Sequence, residues 1–361
     1  MLFADMGAEV TLIERRHGGE ESAGIPAGAR RAEIVHRGKK SIALDLKSRE
    51  GAAAAMRLAT TADVLIEGFR PGVMERLGLG PEPCMAANPR LVYGRLSGWG
   101  QDGPLAQAAG HDIDYIALSG ALFHGGHGHA PPAAPPTLTG DLGGGAMLLA
   151  TGVLAALFSA ARSGRGQVVD AAISDGAVLL TTLLVGLQQQ GRWSDRRQAN
   201  LLGGGAHWYD CYECADGGYV AVGALEPQFY RAFLDKCGLG DDASFASQYD
   251  PAAWPRQKEE LATLFRTRSR DEWAAHFAGS DACVAPVLNL SEARAHPHHV
   301  ARRTYMQVDG IPQPAPAPRF GGTPGRAGRS PPAPGEHTIE VLSAAGFSRA
   351  EIAGLREAEA I

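Results

Sequence analysis

Residues 62–78, Ala-Asp-Val-Leu-Ile-Glu-Gly-Phe-Arg-Pro-Gly-Val-Met-Glu-Arg-Leu-Gly, read as strand, turn and helix in immediate succession. Asp63 to Glu67 is a short branched, apolar run, Pro71-Gly72 breaks it, and Val73 to Leu77 favours a helix that Gly78 ends. Working outward, a helical run from Arg49 to Thr61 precedes this stretch and a strand from Leu91 to Leu96 follows it. Farther upstream, Glu9 to Glu14 and Ser41 to Leu46 are two more short strands, separated by a polar, glycine-rich loop. Alternation of strand and helix predicts parallel strands with helical crossovers, an open α/β sheet whose ligands bind beyond the carboxyl ends of its strands. Residues Leu2 to Gly7 resemble the last turns of a helix with Gly7 as terminator and no N-cap ahead of them. The expectation is a first strand upstream of the given start; the alternative is a short helix that caps the fold.

Downstream, Gly143-Gly144-Gly145 feed an apolar helix from Ala146 to Ala161, expected to be buried. The strand Gln167 to Ala171 and a single helix from Asp175 to Gln190 follow. From Trp208 to Leu290 the character changes: Tyr209 to Cys214 and Tyr219 to Gly223 flank an Ala-Asp-Gly-Gly turn, a hairpin signal, and Cys283 to Leu288 is a further strand. Prolines and glycines from Ile311 to Pro334 predict an extended linker, with two short amphipathic helices after it. The expected division is a large domain of residues 1–200 and 311–361 around a small α+β domain of residues 201–310.

The chain has 361 residues, 45% of them hydrophobic, and a net charge of −5. That is ample for a packed core and lacks the basic footprint of a nucleic-acid binder. Five scattered cysteines read as reduced thiols, and the apolar run is short of the roughly 20 residues a membrane span needs. A cytoplasmic protein, neither membrane-bound nor disulfide-linked, is expected.

Several tempting features carry little. His124, His127 and His129 lie on a glycine-rich loop without a carboxylate or cysteine, a poor scaffold for a metal, and no metal site is expected. Cys211 and Cys214 have no second pair and read as structural thiols; His296, His298 and His299 suit a solvated helix end. The stronger constellation pairs Gly110-His111-Asp112-Ile113-Asp114-Tyr115 with Gly140-Asp141-Leu142-Gly143-Gly144-Gly145. A histidine and a carboxylate can exchange acid and base roles, and a glycine run opening a helix leaves N–H groups for an anion. On spacing alone, both residues are also readable as plain helix N-caps.

These two segments, with residues 62–78, Ala221-Val-Gly-Ala-Leu-Glu-Pro-Gln-Phe-Tyr and Gly335-Glu-His-Thr, resemble the α-methylacyl-CoA racemase family over almost the whole chain. That family lies within the family III CoA-transferase (CaiB/BaiF-like) superfamily. The resemblance implies an open Rossmann-like large domain with a smaller α+β domain, in an interlocked homodimer whose subunits share the active site. The implied activity interconverts (2R)- and (2S)-2-methylacyl-CoA through an enolate, in fatty-acid metabolism, with no cofactor beyond the CoA of the substrate. His111 matches the base on the S face and Asp141 the base on the R face. Glu226 matches a carboxylate that assists the histidine from the partner subunit, although it also reads as an ordinary helix N-terminal acid before Pro227. Arg15 matches a grip on the CoA nucleotide; Leu44, Asp45, Leu46 and Lys47 match the adenine end; Arg76 suits a phosphate. Gly110, Asp112, Ile113, Asp114 and Tyr115 match the stretch along the thioester, and Arg70 is either a second phosphate ligand or a surface charge.

This sequence departs from the family in having Asp114 in place of asparagine, a longer loop from His17 to Arg31 and no peroxisomal signal. Its given start also lacks about twenty residues of the family pattern, whose loss would leave strand edges unpaired. Two other readings stay open. One is a CoA-transferase in which Asp141 attacks the acyl group, although such enzymes generally lack a histidine at position 111. The other is a CoA-binding protein without turnover.

Overall fold

The computed structural model describes residues 1–15 and 29–361, so the loop expected from His17 to Arg31 lies outside the described residues up to position 28. The opening helix α1 (Leu2–Asp5) ends at Gly7, whose φ of +101° suits glycine alone, and the chain enters β1 (Val10–Glu14). β1 pairs in parallel with β2 (Lys39–Ala43), Glu14 opposite Ala43. Ser48 caps α2 (Arg49–Ala59) by accepting from the Gly51 N–H at 3.0 Å, and Ala54 and Ala55 of that helix enter the core with Ile42 and Leu44.

Residues 62–78 form β3 (Val64–Glu67) and α3 (Val73–Arg76); an additional helix, α4 (Pro81–Ala87), leads to β4 (Val92–Ser97). The chain then runs through α5 (Asp112–Leu118), a π-helix (Leu138–Met147) and α6 (Leu148–Ser163) into β5 (Val168–Ala172). β3, β4 and β5 form a parallel sheet in that order, as the strand and helix alternation implies. Gly94 of β4 matters here: a Cβ at that position would stand 3.2 Å from Leu149 and 3.4 Å from Val153, the α6 residues packed over it. Among the described residues the β1–β2 and β3–β4–β5 ladders are separate sheets rather than the single sheet expected.

After β5 come α7 (Ile173–Leu180) and α8 (Thr182–Gln189), then the hairpin β6 (Tyr209–Glu213) and β7 (Tyr219–Gly223). α9 (Pro227–Cys237), α10 (Trp254–Phe265), α11 (Arg270–Phe277) and β8 (Val284–Pro286) complete this region, with β8 antiparallel to β7. α12 (Leu290–Ala295), α13 (Pro297–Arg302), β9 (Tyr305–Val308), β10 (Ile311–Pro314), α14 (Thr338–Ala344) and α15 (Arg349–Glu357) end the chain.

Two compact units result. One comprises Met1–Ala109, Gly145–Ile173 and Arg294–Ile361; the other comprises Gly110–Gly144 and Ser174–Ala293. In the first, Val341, Leu342, Ile352 and Leu355 of the last two helices join the core of β2 and α2. Fully buried Arg37 donates to both oxygens of Asp5, at 3.0 and 2.6 Å, and to Gln313 at 2.7 Å, so it ties α1 to β10. The second unit is built on an aromatic core of Trp208, Tyr212, Phe233, Phe245, Phe265, Trp273 and Phe277.

Three expectations need correction. The proline-rich stretch does not begin as a linker: Ile311–Pro314 ladders antiparallel to β9 across Asp309-Gly310, both at positive φ, the requirement of a tight hairpin turn. The predicted helix from Asp175 to Gln190 is two helices, because the chain turns at Thr181, whose N–H and hydroxyl both bond the Val178 carbonyl. Finally, α6 is buried on one face only. Leu149, Val153 and Ala156 pack against the sheet, while Phe158 is 67% exposed and Leu154 is exposed beside it. The stretch Leu138–Ser163 has the length and apolarity of a bilayer span, yet its buried face belongs to a folded core.

Candidate functional site

His111 and Asp141 come together within the second unit. His111 is the N-cap of α5, in extended conformation (φ −135°, ψ 175°), and its N–H donates to Asp114 Oδ2 at 2.9 Å. The carboxylate that replaces the family's asparagine therefore caps the helix through the backbone of His111. Tyr115, buried one turn on, donates its hydroxyl to the Gly110 carbonyl, which fixes the entry to the helix from the other side. The side chains of His111 and Asp114 are placed as the capping box of α5, and no further hydrogen bond to the His111 ring occurs among the described residues.

Asp141 sits in the first turn of the π-helix rather than ahead of a helix. Its N–H donates to Asp112 Oδ1 at 2.7 Å. Burial pushes the Asp141 carboxyl above the ordinary carboxylate range, the Asp112 charge pushes it the same way, and the His111 charge opposes both. His111 is thus within electrostatic reach of Asp141, and a half-buried carboxylate of raised basicity lies near an exposed imidazole.

The glycine run is not the expected anion cradle. The Leu142 N–H bonds the Thr137 carbonyl, five residues back, so the π-helical turn itself uses donors that an α-helical start would leave open. Close approach here demands a glycine on the facing helix instead: a Cβ on Gly176 of α7 would come within 1.9 Å of the Gly144 carbonyl, so α7 rests on the backbone of the π-helix.

Two more of the assigned side chains are buried. Asp112 is 9% exposed and its Oδ1 is engaged by Asp141, so it does not line a thioester channel with that oxygen. Leu44 is 2% exposed in the core, and only its backbone remains for a ligand. Arg15 and residues 44–47 do converge. They follow the carboxyl ends of the paired β1 and β2, where the Leu44 N–H bonds the Glu14 carbonyl and Asp45 Oδ1 accepts from the Lys47 N–H at 3.0 Å. Arg15 and Lys47 are exposed there, Leu46 is half-buried, and Arg76 and Arg70 are exposed around α3. Ile113 is exposed on the first turn of α5. Glu226 is an exposed N-cap of α9 near Cys283, and among the described residues no hydrogen bond or ion pair joins it to His111.

The remaining features have local partners. Trp193 donates to His124, and Gln198 meets the ring of His127. His296 and His298 each meet the His299 ring edge-on around α13. The five cysteines are free, and burial pushes every thiol upward, Cys237 to about 12, so none is a ready thiolate.

A model of CoA-transferase family III matches residues 1–338 of the chain. The chain is 43% identical over 355 residues to the alpha-methylacyl-CoA racemase of Mus musculus and 42% identical over 354 residues to that of Homo sapiens. Each alignment covers 98% of this chain and 90% of the relative. A crystal structure of a CaiB/BaiF family protein from Brucella suis superposes with a TM-score of 0.80 at 24% identity, over 95% of this chain and 93% of that one, a likeness of fold.

Proposed function

Given that this chain belongs to CoA-transferase family III, we propose that it is an isomerase that interconverts (2R)- and (2S)-2-methylacyl-CoA, the activity named for its racemase relatives. The observation that carries this reading is an exposed imidazole within electrostatic reach of a carboxyl of raised basicity. A proton next to a thioester carbonyl is weakly acidic, so its removal calls for a base tuned upward and an acid ready on the opposite face. Asp141 takes the proton from one epimer while protonated His111 delivers one to the other face of the enolate; the reverse direction exchanges their roles. His111 serves the S face and Asp141 the R face. Both steps are proton transfers and need no cofactor beyond the CoA of the thioester.

In this reading Arg15, Asp45, Leu46, Lys47 and Arg76 hold the CoA nucleotide with the backbone of Leu44, and Gly110, Ile113, Asp114 and Tyr115 follow the thioester. Glu226 acts on His111 from a second copy of the chain. Exposed Leu179, Leu180 and Leu183 on α7 and α8 support a homodimer, since neighbouring exposed apolar side chains mark an interface, and exposed Leu154 and Phe158 on α6 do so independently. Reduced thiols suit a cytoplasmic location.

The family's own name favours a second reading, in which Asp141 attacks an acyl-CoA and carries the acyl group as an anhydride. Incubation with a 2-methylacyl-CoA in heavy water, without an acceptor acid, separates the two. Racemisation predicts deuterium at the α-carbon of both epimers. Acyl transfer to an added carboxylate without deuterium uptake would establish the transferase, and tight CoA binding with neither reaction would establish a binding protein.

A further inference from the structure

The group that fixes Asp141 against His111 is a third side chain. We propose that Asp112 is the positioning residue of this site: carried next to His111 on the first turn of α5, its carboxylate clamps the backbone of Asp141 and holds the two proton-transfer groups in one register. The inference rests on the racemase reading and goes beyond it.

Asp112 is buried, and its Oδ1 accepts from the Asp141 N–H at 2.7 Å. Hydrogen bonds to an ionised acceptor are short and strong, so this one anchors the π-helix to α5 at the position where it matters. The approach is so close that a Cβ on Gly140 would stand 2.5 Å from the same oxygen and 3.1 Å from Ile116 Cγ2; glycine is required for the clamp to form. Among the described residues no lysine or arginine pairs with Asp112. A buried carboxylate without a cation is costly, and a neutral acceptor would satisfy the same N–H with less desolvation. The charge has a use here, because together with burial it keeps Asp141 basic against the opposing pull of His111. Asp114, the other carboxylate of this turn, is occupied by the His111 N–H.

Two variants separate geometry from charge. Asp112→Ala removes both, and Asp112→Asn keeps an acceptor oxygen and removes the charge. In the deuterium exchange assay Asp112→Ala lowers kcat by about 10²-fold with KM for the acyl-CoA little changed, since misplacement by about 1 Å has that effect. Asp112→Asn recovers most of the rate and moves the acid limb of the pH–rate profile to lower pH, because Asp141 loses a neighbouring negative charge. Gly140→Ala, which presses on the clamping oxygen, repeats the loss of Asp112→Ala. Unchanged kcat in Asp112→Ala, or equal losses in the alanine and asparagine variants with no displacement of the pH profile, would overturn the proposal. If the wild-type chain exchanges no α-proton, the racemase reading fails by itself. Hydrogen exchange at the Asp141 amide then decides the clamp: protection lost in Asp112→Ala and kept in Asp112→Asn upholds it, and equal protection in both removes it.

Discussion

His111 and His124 lie thirteen residues apart in one compact unit and are held in opposite ways. At His111 the backbone does the structural work: the N–H goes to Asp114 and the carbonyl accepts from the Asp114 and Tyr115 N–H groups. Beyond the capping box of its own turn, the ring makes no hydrogen bond among the described residues. At His124 the ring does that work, accepting from Trp193 Nε1 at 3.1 Å and meeting the indole edge-on at 5.0 Å. Burial lowers the His124 pKa from its ordinary value, which disfavours the charged ring. The loop that follows is tied down through carbonyls as well, Arg197 donating to those of Gly125, His127 and Ala130. A histidine is available for proton transfer when another group caps the chain in its place and a titratable partner lies near, and of the two only His111 meets both conditions.

The largest effects test that contrast directly. His111→Ala is expected to lower α-proton exchange from the 2S epimer by about 10² to 10⁴-fold, and Asp141→Asn to do the same from the 2R epimer, the range that loss of a positioned acid or base produces. Equal, mild losses from both epimers in either variant would dissolve the two-base reading. Asp141 also carries a sign for stability. A carboxyl whose folded-state pKa is raised favours the protonated fold, so its ionisation weakens the fold once the pH exceeds that raised value. Asp141→Asn therefore melts at a higher temperature than wild type at neutral pH. Thermal melts should show the gain vanish as the pH falls below the unfolded carboxylate range near about 4.

How far the sequence reaches differs from one element to the next. The β6–β7 hairpin was legible because Asp216-Gly217 stands between alternating runs, a local signal that tertiary packing does not override. β9 and β10 have an equally local signal in Asp309-Gly310, but the prolines at 312 and 314 mask it; prolines are tolerated at a strand edge. Apolar composition identified α6 as a helix and could not say that only one face would be covered, because coverage depends on elements distant in the chain. At the site, the residue types of His111 and Asp141 were legible through long, ordered motifs. Their proximity depends on a non-local contact between α5 and the π-helix, and nothing in the order Gly-His-Asp reveals that Asp112 turns inward to make it. Gly140 beside Asp141 was the one available hint of a close backbone approach.

A smaller effect of the opposite kind is expected at the second histidine. His124→Ala removes a hydrogen bond and an edge-on ring contact, and should reduce stability by about 1 to 2 kcal/mol with no change in exchange per folded molecule. Urea unfolding midpoints read the first quantity and the deuterium assay the second. A fall in kcat comparable to that of His111→Ala would mean that the loop reaches the chemistry after all.

The smallest effect belongs to His127, and it sharpens the point about where a loop is held. Its exposed ring meets Gln198 at 3.1 Å, while its carbonyl accepts from Arg197 at 2.8 Å. His127→Ala deletes the exposed contact and keeps the carbonyl, so its cost should stay within about 0.5 kcal/mol, as for an ordinary surface substitution. Arg197→Ala removes three donations at once and leaves carbonyls without their guanidinium, so it should shift the urea midpoint well beyond His127→Ala. If the two variants unfold at the same denaturant concentration, the guanidinium is not what holds this loop, and the histidine rings carry the load in place of the Arg197 donations.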